Sequence, residues 1–201
     1  GDVKDVTHHL LDQLIQSSFP NLDRSQEVLH VIPIGYDVDG LSGVRNPVGL
    51  HADQIQVEAH VVIGDAATLK NIVKAVEASR VSVKSLVLQS LASAEATLTG
   101  DEREMGSVFV DIGSGTTDLI IYREGSPWYS AVIPVGGDQL TKDLSVRLGI
   151  SVHLAEEVKT KWGHALPEMI RGDEEVVIPS FQGQPRRVVP RQVIAEPLQA
   201  R

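Results

Sequence analysis

The chain has 201 residues, of which 42% are hydrophobic and only 4% aromatic; it has no cysteine, and its formal net charge is −9. The acidic balance argues against a general nucleic-acid binder, which needs a basic face. The absence of cysteine excludes disulfides and thiolate metal sites and permits a reducing compartment. No apolar run approaches the roughly 20 residues that span a bilayer, and GDVKDVTHHLL does not read as a signal peptide. The composition reads as a soluble, intracellular protein with enough apolar residues for one large domain or two small ones.

Residues 2–17 carry Val3, Val6, Leu10, Leu14 and Ile15 at helical spacing, with Asp2 placed as a cap and Pro20 as a stop. Residues 28–40 read as strand, break, strand, closing in a turn at Asp39-Gly40. Turn chemistry follows at Asn46-Pro47 and Gly49. Residues 54–64 alternate strictly: Ile55, Val57, Ala59, Val61 and Ile63 share one face, and Gln54, Gln56, Glu58 and His60 share the other.

Residues 65–79 read as a helix with Leu69, Ile72, Val73 and Val76 on one side, and 83–89 as a short buried strand. Residues 90–99 form a small-residue helix closed by Gly100, in which Ala92, Ala94 and Ala96 permit close crossing; DERE follows as a charged connection. Two apolar strands then flank a glycine knot over 107–122, and EGSP turns into a third strand at 128–137. Helices are expected at 138–148, with Leu140, Leu144 and Leu148 on one face, and at about 152–162; 175–190 reads as a hairpin around Gln182-Gly183. The alternation of strands and helices indicates a mixed α/β fold.

The knot is DIGSGTTD, residues 111–118. Gly113 and Gly115 are able to take positive φ and turn successive N–H groups into one concavity, while Thr116 and Thr117 add hydroxyls. Asp111 ends a buried strand, where an isolated carboxylate is costly unless it is paired or near a metal, and Asp118 opens the return strand. Mg²⁺ takes oxygen ligands and keeps several waters, so one or two carboxylates suffice. The set suits the phosphates of a Mg-nucleotide. The competing reading is a β-hairpin with solvated aspartates. The loop is neither a Walker A nor a Rossmann fingerprint, since it lacks GK[ST] and a strand follows it.

DIGSGTTD resembles the second phosphate loop of the actin-like ATPase superfamily, which has the ribonuclease-H-like fold; Ser114 stands where glycine is usual. The stretch Ile133–Gly137 opening a helix, and the A-E-x-x-K helix at 155–159, follow in the superfamily's order. The segments VLHVIPIGYDVDGLSGVRNPVGLHADQIQVEAHVV, LASAEATLTGDEREMG, VIPVGGDQLTKDL and VIPSFQGQPRRV resemble the bacterial cell-division FtsA family and cover nearly the entire chain.

The resemblance implies ATP and Mg as ligands. Gly113, Ser114, Gly115, Thr116, Thr117, Gly136 and Gly137 would bind the phosphates, Glu156 and Lys159 would lie beside the ribose and adenine, and Asp111 and Asp118 would hold Mg through water. On spacing alone Glu156 and Lys159 are an exposed ion pair. It also implies three parts: 1–63 as the inserted 1C subdomain without its first strand, 64–104 as a return segment of subdomain 1A with an interdomain helix, and 105–201 as most of subdomain 2A.

The family's upstream phosphate loop, downstream adenosine loop and C-terminal membrane helix would lie outside the chain. Residues 193–201 contain Pro197 and are too short to replace that helix. The implied function is an actin-like scaffold that polymerises through 1C, meets the tubulin-like FtsZ and other divisome proteins, and links the division ring to the cytoplasmic face of the inner membrane. It would be at most a slow ATPase at full length and inactive over these residues. Pilus-assembly homologues and small-molecule kinases of the superfamily are the alternatives. His8, His9, His51 and His60 read as solvated or packing residues, Trp128 and Trp162 as core or edge packing, and Arg186-Arg187 as a solvated arm.

Overall fold

A computed structural model describes residues 4–17, 21–178 and 186–200. The chain divides into two units: residues 1–111 with 118–131, and residues 112–117 with 132–201.

Unit 1 opens with β1 (Lys4–Asp5) and α1 (His8–Ser17), so the predicted helix over 2–17 is a strand followed by a shorter helix. Val6 is the reason. Its amide donates to the Leu50 carbonyl and its carbonyl accepts from Gly49, both at 2.9 Å, and its side chain is buried beside Leu11. Thr7 Oγ1 accepts from the Leu10 amide at the start of α1. Asp2 and Pro20, expected as cap and stop, lie outside the described residues.

β2 (Gln26–Val38) is one continuous strand of 13 residues where a break was expected. It pairs antiparallel with β3 (Leu41–Val44) and with β5 (Ile55–Asp65); β4 (His51–Ala52) pairs with β1. The expected break is a bulge: register with β5 shifts between Pro33 and Gly35, and again between Val28 and His30. Proline donates no ladder hydrogen bond, and a bulge accommodates it. Asp39 and Gly40 have φ of 51° and 85°, the conformation of a two-residue hairpin turn.

Along β5, Gln56 and Glu58 are exposed and Ile55, Val57 and Ala59 half-buried, as the alternation predicts. Beyond His60 the pattern inverts. Val62 is buried, Ile63 is 40% exposed, and His60 is half-buried with Nε2 2.9 Å from Ser130 Oγ. His60 is therefore not on an open outer face. Each bulge adds one residue to β2 and raises the local twist, so the two ends of β5 meet different neighbours.

α2 (Ala66–Glu77) is capped by the Asp65 carboxylate, which accepts from Thr68 N–H. Ile72 and Val76 are exposed on it. The predicted strand 83–89 is absent: residues 81–88 pair with no described strand, and Val81 and Val87 are exposed. A strand needs a neighbour to satisfy its backbone; here Leu88 N–H donates to His30 Nε2 instead.

α3 (Gln89–Thr97) buries Ser90 and Ala94, while Ala92 and Ala96 are exposed. Gly100 does not close it. Gly100 opens α4 (Gly100–Met105), and the DERE segment is helical because Thr99 and Glu102 form a reciprocal capping box. β6 (Ser107–Ile112), β7 (Thr117–Arg123) and β8 (Ser126–Ile133) form a sheet in that order. Ile120 and Tyr122 pack with Ala94, and Leu91, Leu98 and Phe109 adjoin them. Trp128 is 45% exposed and does not enter the core.

Unit 2 holds α5 (Gly137–Leu148), α6 (Val152–Trp162), a 3₁₀ turn (Pro167–Met169), β9 (Glu175–Ile178), β10 (Arg187–Pro190) and α7 (Arg191–Gln199). Gly149 closes α5 in the left-handed conformation, φ 62°. β9 and β10 pair antiparallel, as the hairpin reading requires; its turn at Gln182-Gly183 lies outside the described residues. Arg187 donates to the Leu148 carbonyl, so this arm is anchored. α7 contains Pro197 and was not expected. Ile194 is fully buried with Leu144, Leu148, Val158, Val176 and Ile178, and Ala195 next to it is fully buried as well; this packing outweighs the hydrogen bond that proline removes. Among the described residues no helix is long and apolar enough to cross a membrane.

Candidate functional site

In unit 2 the glycine loop is closed by its own backbone: Gly113 N–H donates to the Thr116 carbonyl at 2.8 Å. The carbonyls of Gly113 and Ser114 accept from the amides of Gly137 (3.0 Å) and Asp138 (2.8 Å). The first turn of a helix has amides without intrahelical partners; in α5 the loop supplies two of those partners. Ser114 Oγ adds a 2.7 Å bond to Asp138 Oδ1, and Thr117 Oγ1 donates to the Val135 carbonyl at 2.8 Å. No described residue accepts from the amides of Ser114 or Gly115.

The glycines serve a different purpose from the one expected. Neither Gly113 nor Gly115 has positive φ. A Cβ on Gly113 would stand 3.2 Å from the Thr116 carbonyl oxygen, and one on Gly136 would stand 2.5 and 2.6 Å from those of Ser114 and Gly113. These two are glycine for close approach. A Cβ on Gly115 would meet nothing within 4 Å, so nothing among the described residues requires glycine there. A loop with two amides that have no described acceptor and an open glycine is chemically suited to an anion.

α5 and α6 meet in a second cluster. Lys159 Nζ lies 2.6 Å from Glu156 Oε2, 2.7 Å from Thr141 Oγ1 and 3.1 Å from the Gly137 carbonyl. Thr141 Oγ1 also bonds Glu156 Oε2 and lies 3.0 Å from the Gly137 carbonyl. Lys159 and Glu156 are thus more than a solvated ion pair: the Lys159 side chain is 18% exposed, that of Glu156 48%. The hydrogen bond from Lys159, then that from Thr141, holds the Glu156 carboxyl below the usual glutamate range. Thr141 was missed in the sequence. The available signal was a hydroxyl on the apolar stripe of Leu144 and Leu148, where it is 2% exposed.

The two aspartates belong to unit 1. Asp111 follows the side-chain alternation of Phe109, and Asp118 that of Ile120 and Tyr122, so both take the α3 side of the sheet. Asp111 Oδ2 accepts from Gln89 Nε2 and Ser93 Oγ, both at 3.3 Å. Asp118 is 6% exposed. A carboxylate set of this kind has oxygen chemistry that fits Mg²⁺. Of the histidines, His51 pairs with Asp5 and His60 with Ser130.

Two family models match the chain. One, described as the SHS2 domain inserted in FtsA, matches residues 2–63; the other, described as cell division protein FtsA, matches residues 108–198.

The chain belongs to the FtsA family.

It is 38% identical to the cell division protein FtsA of Escherichia coli K12 over 200 residues, covering 100% of this chain and 46% of that protein. The FtsA proteins of Pseudomonas aeruginosa and Borreliella burgdorferi are each 38% identical, over 88% and 80% of this chain and 42% and 39% of their own lengths. The chain spans less than half the length of these relatives. Among solved structures, a PilM–PilN type IV pilus biogenesis complex gives a TM-score of 0.55 at 17% identity, over 77% of this chain and 44% of that one. MreB5 of Spiroplasma citri bound to ADP gives 0.50 at 20%, over 68% and 44%. The fold is actin-like, and the FtsA family carries its inserted domain at the N-terminal end of this chain.

Proposed function

We propose that this chain is the nucleotide-holding part of an FtsA-family protein that binds Mg-ATP, polymerises, and links the bacterial division ring to the cytoplasmic face of the inner membrane. The observation that carries the nucleotide reading is the loop at 113–116. Its carbonyls are tied into α5, and its Ser114 and Gly115 amides have no described acceptor. Gly113 to Thr117, Gly136 and Gly137 would take the phosphates, Glu156 and Lys159 would lie beside the ribose and adenine, and Asp111 and Asp118 would hold the Mg²⁺ through water. When bound, Mg²⁺ supplies charge neutralisation for the phosphates. The chain's own contribution is to aim donors and keep that loop rigid. An ADP-bound relative in fold, MreB5, supports a nucleotide as the ligand.

Residues 1–63 would form the 1C subdomain through which copies associate, 64–104 a return segment of subdomain 1A with an interdomain helix, and 105–201 most of subdomain 2A. Divisome proteins, among them the tubulin-like FtsZ, would be the partners. The test is calorimetric titration of ATP into the full-length protein with and without Mg²⁺. Micromolar or tighter binding that depends on Mg²⁺ is expected; no heat up to millimolar ATP would overturn the nucleotide reading.

A further inference from the structure

We propose that Asp138 is a specificity-determining residue: its carboxylate, clasped to the phosphate loop by Ser114, repels metal-free nucleotide and so favours the Mg²⁺-bound form. This role presupposes the nucleotide reading above. Asp138 stands in the first turn of α5. Its amide donates to the Ser114 carbonyl at 2.8 Å, and its Oδ1 accepts from Ser114 Oγ at 2.7 Å. The two residues are therefore joined twice, once through backbone and once through side chains. A residue without a hydroxyl at 114 would keep the first bond and lose the second, leaving the carboxylate free to turn to solvent.

The clasp fixes a charge close to the anion position. The Ser114 amide is one of the two loop amides without a described acceptor. A serine Oγ is never more than roughly 4 Å from its own amide nitrogen. A phosphate oxygen accepting from that amide thus stands within about 10 Å of Asp138 Oδ1 in any rotamer, no farther than the screening length at about 0.1 M salt. The charge is also unanswered. Ser114 is a neutral partner, and among the described residues no Lys or Arg pairs with Asp138. Lys159, which reaches the adjacent Gly137 carbonyl, pairs with Glu156. A carboxylate is favoured at a helix N-terminus, so Asp138 occupies part of the positive end that α5 would otherwise offer a phosphate. The effect falls unevenly on two forms of the ligand. Repulsion grows with the ligand's charge, and Mg²⁺ neutralises part of that charge. Asp138 therefore disfavours free ATP more than Mg-ATP.

The test is calorimetric titration of the full-length protein with ATP in a chelator and with ATP in excess Mg²⁺, for wild type, Asp138→Asn, Asp138→Ser and Ser114→Ala. Asp138→Asn keeps the shape and an acceptor for Ser114 while removing the charge. The quantity read is the ratio of the dissociation constants without and with Mg²⁺. At roughly 20 mM salt it should fall about fivefold in both Asp138 variants, chiefly through tighter binding of free ATP, as removal of a like charge at this range does. The difference from wild type should largely vanish at about 0.5 M salt, where screening is shorter. Ser114→Ala releases the carboxylate and should move the ratio in the same direction by less; its sign decides the matter if neither Asp138 variant folds. A purely structural Asp138 would weaken both forms equally, and a ratio unchanged in the variants overturns the proposal. So does a shift in the ratio that persists undiminished at high salt. A wild-type protein that binds ATP in neither condition sinks the nucleotide reading and this role with it. Mg²⁺-dependent binding that is indifferent to Asp138 sinks this role alone.

Discussion

Gly136 meets Ser114 backbone to backbone: a Cβ on Gly136 would stand 2.5 Å from the Ser114 carbonyl oxygen. The contact lets the amides of Gly137 and Asp138 reach the loop carbonyls. Gly136→Ala should push the loop off α5 and cost about 1–3 kcal/mol, as overpacking does. Urea denaturation of the variant measures this, and an unchanged midpoint would show that the loop is not held as described.

Gly115 should behave in the opposite way. It has no positive φ and open space where a side chain would go. Gly115→Ala is therefore expected to leave the melting temperature unchanged and to weaken ATP binding roughly tenfold by shielding the adjacent amides. Normal ATP affinity in Gly115→Ala would remove this stretch of backbone from the binding surface.

Among the described residues the side-chain partners of Asp111 are Gln89 and Ser93, both neutral. Asp111→Asn keeps the shape, so the fold should stand, while Mg-ATP binding should weaken by about 1–3 kcal/mol through loss of a charged contact. The loss should shrink when ATP is titrated without Mg²⁺. Equal loss in both titrations would mean that Asp111 acts on something other than the metal.

The stability of unit 2 should depend on acid pH. Arg191 Nη1 donates to Glu174 Oε2 at 2.7 Å and the Arg171 amide to Oε1 at 3.2 Å. These bonds, that of Arg191 first, hold the Glu174 carboxyl below its ordinary value of 4.5. A carboxyl with a lowered folded-state pKa stabilises fully above the unfolded value and loses that contribution as pH falls through the folded one. Glu174→Gln should melt earlier than wild type at pH 7, and the gap should close as pH drops below the ordinary range. Thermal melts across pH 3–7 decide it; a gap that is constant with pH would rule out the ionised pair as its source.

Glu58 is exposed on β5 and lines a cleft of about 430 Å³ together with Gln56, Arg45 and Trp128. If residues 1–63 make the contacts between copies, Glu58→Lys should leave folding intact and alter polymerisation of the full-length protein, since like or opposite charge at an interface shifts association strongly. Pelleting and electron microscopy provide the readout. Unchanged filaments for Gln56 and Glu58 substitutions together would place the contact elsewhere.

The glycine loop was legible because its chemistry is local. DIGSGTTD sits between two apolar strands, and period-2 alternation already places Asp111 with Phe109 and Asp118 with Ile120. The helices α2, α5 and α6 followed from apolar spacing, and the β9–β10 pair from its flanking runs. α4 was not seen because a capping box, not an apolar stripe, makes it. α7 was not seen because Pro197 speaks against a helix that burial of Ile194 and Ala195 nonetheless stabilises.

By itself, then, the sequence determined the loop, the order of the main elements and the chemical types that an anion and a divalent cation would require. Only the tertiary structure decided what each residue does there. Whether a glycine is needed for φ or for space depends on which backbone passes it, and Gly136 and Ser114 are brought together by the fold of α5 onto the loop. Whether Lys159 is a free cation or a fastened one depends on three acceptors, of which spacing reveals only Glu156. Thr141 and the Gly137 carbonyl reach it across the packing of α5 on α6, a long-range contact with no periodic signature in the chain.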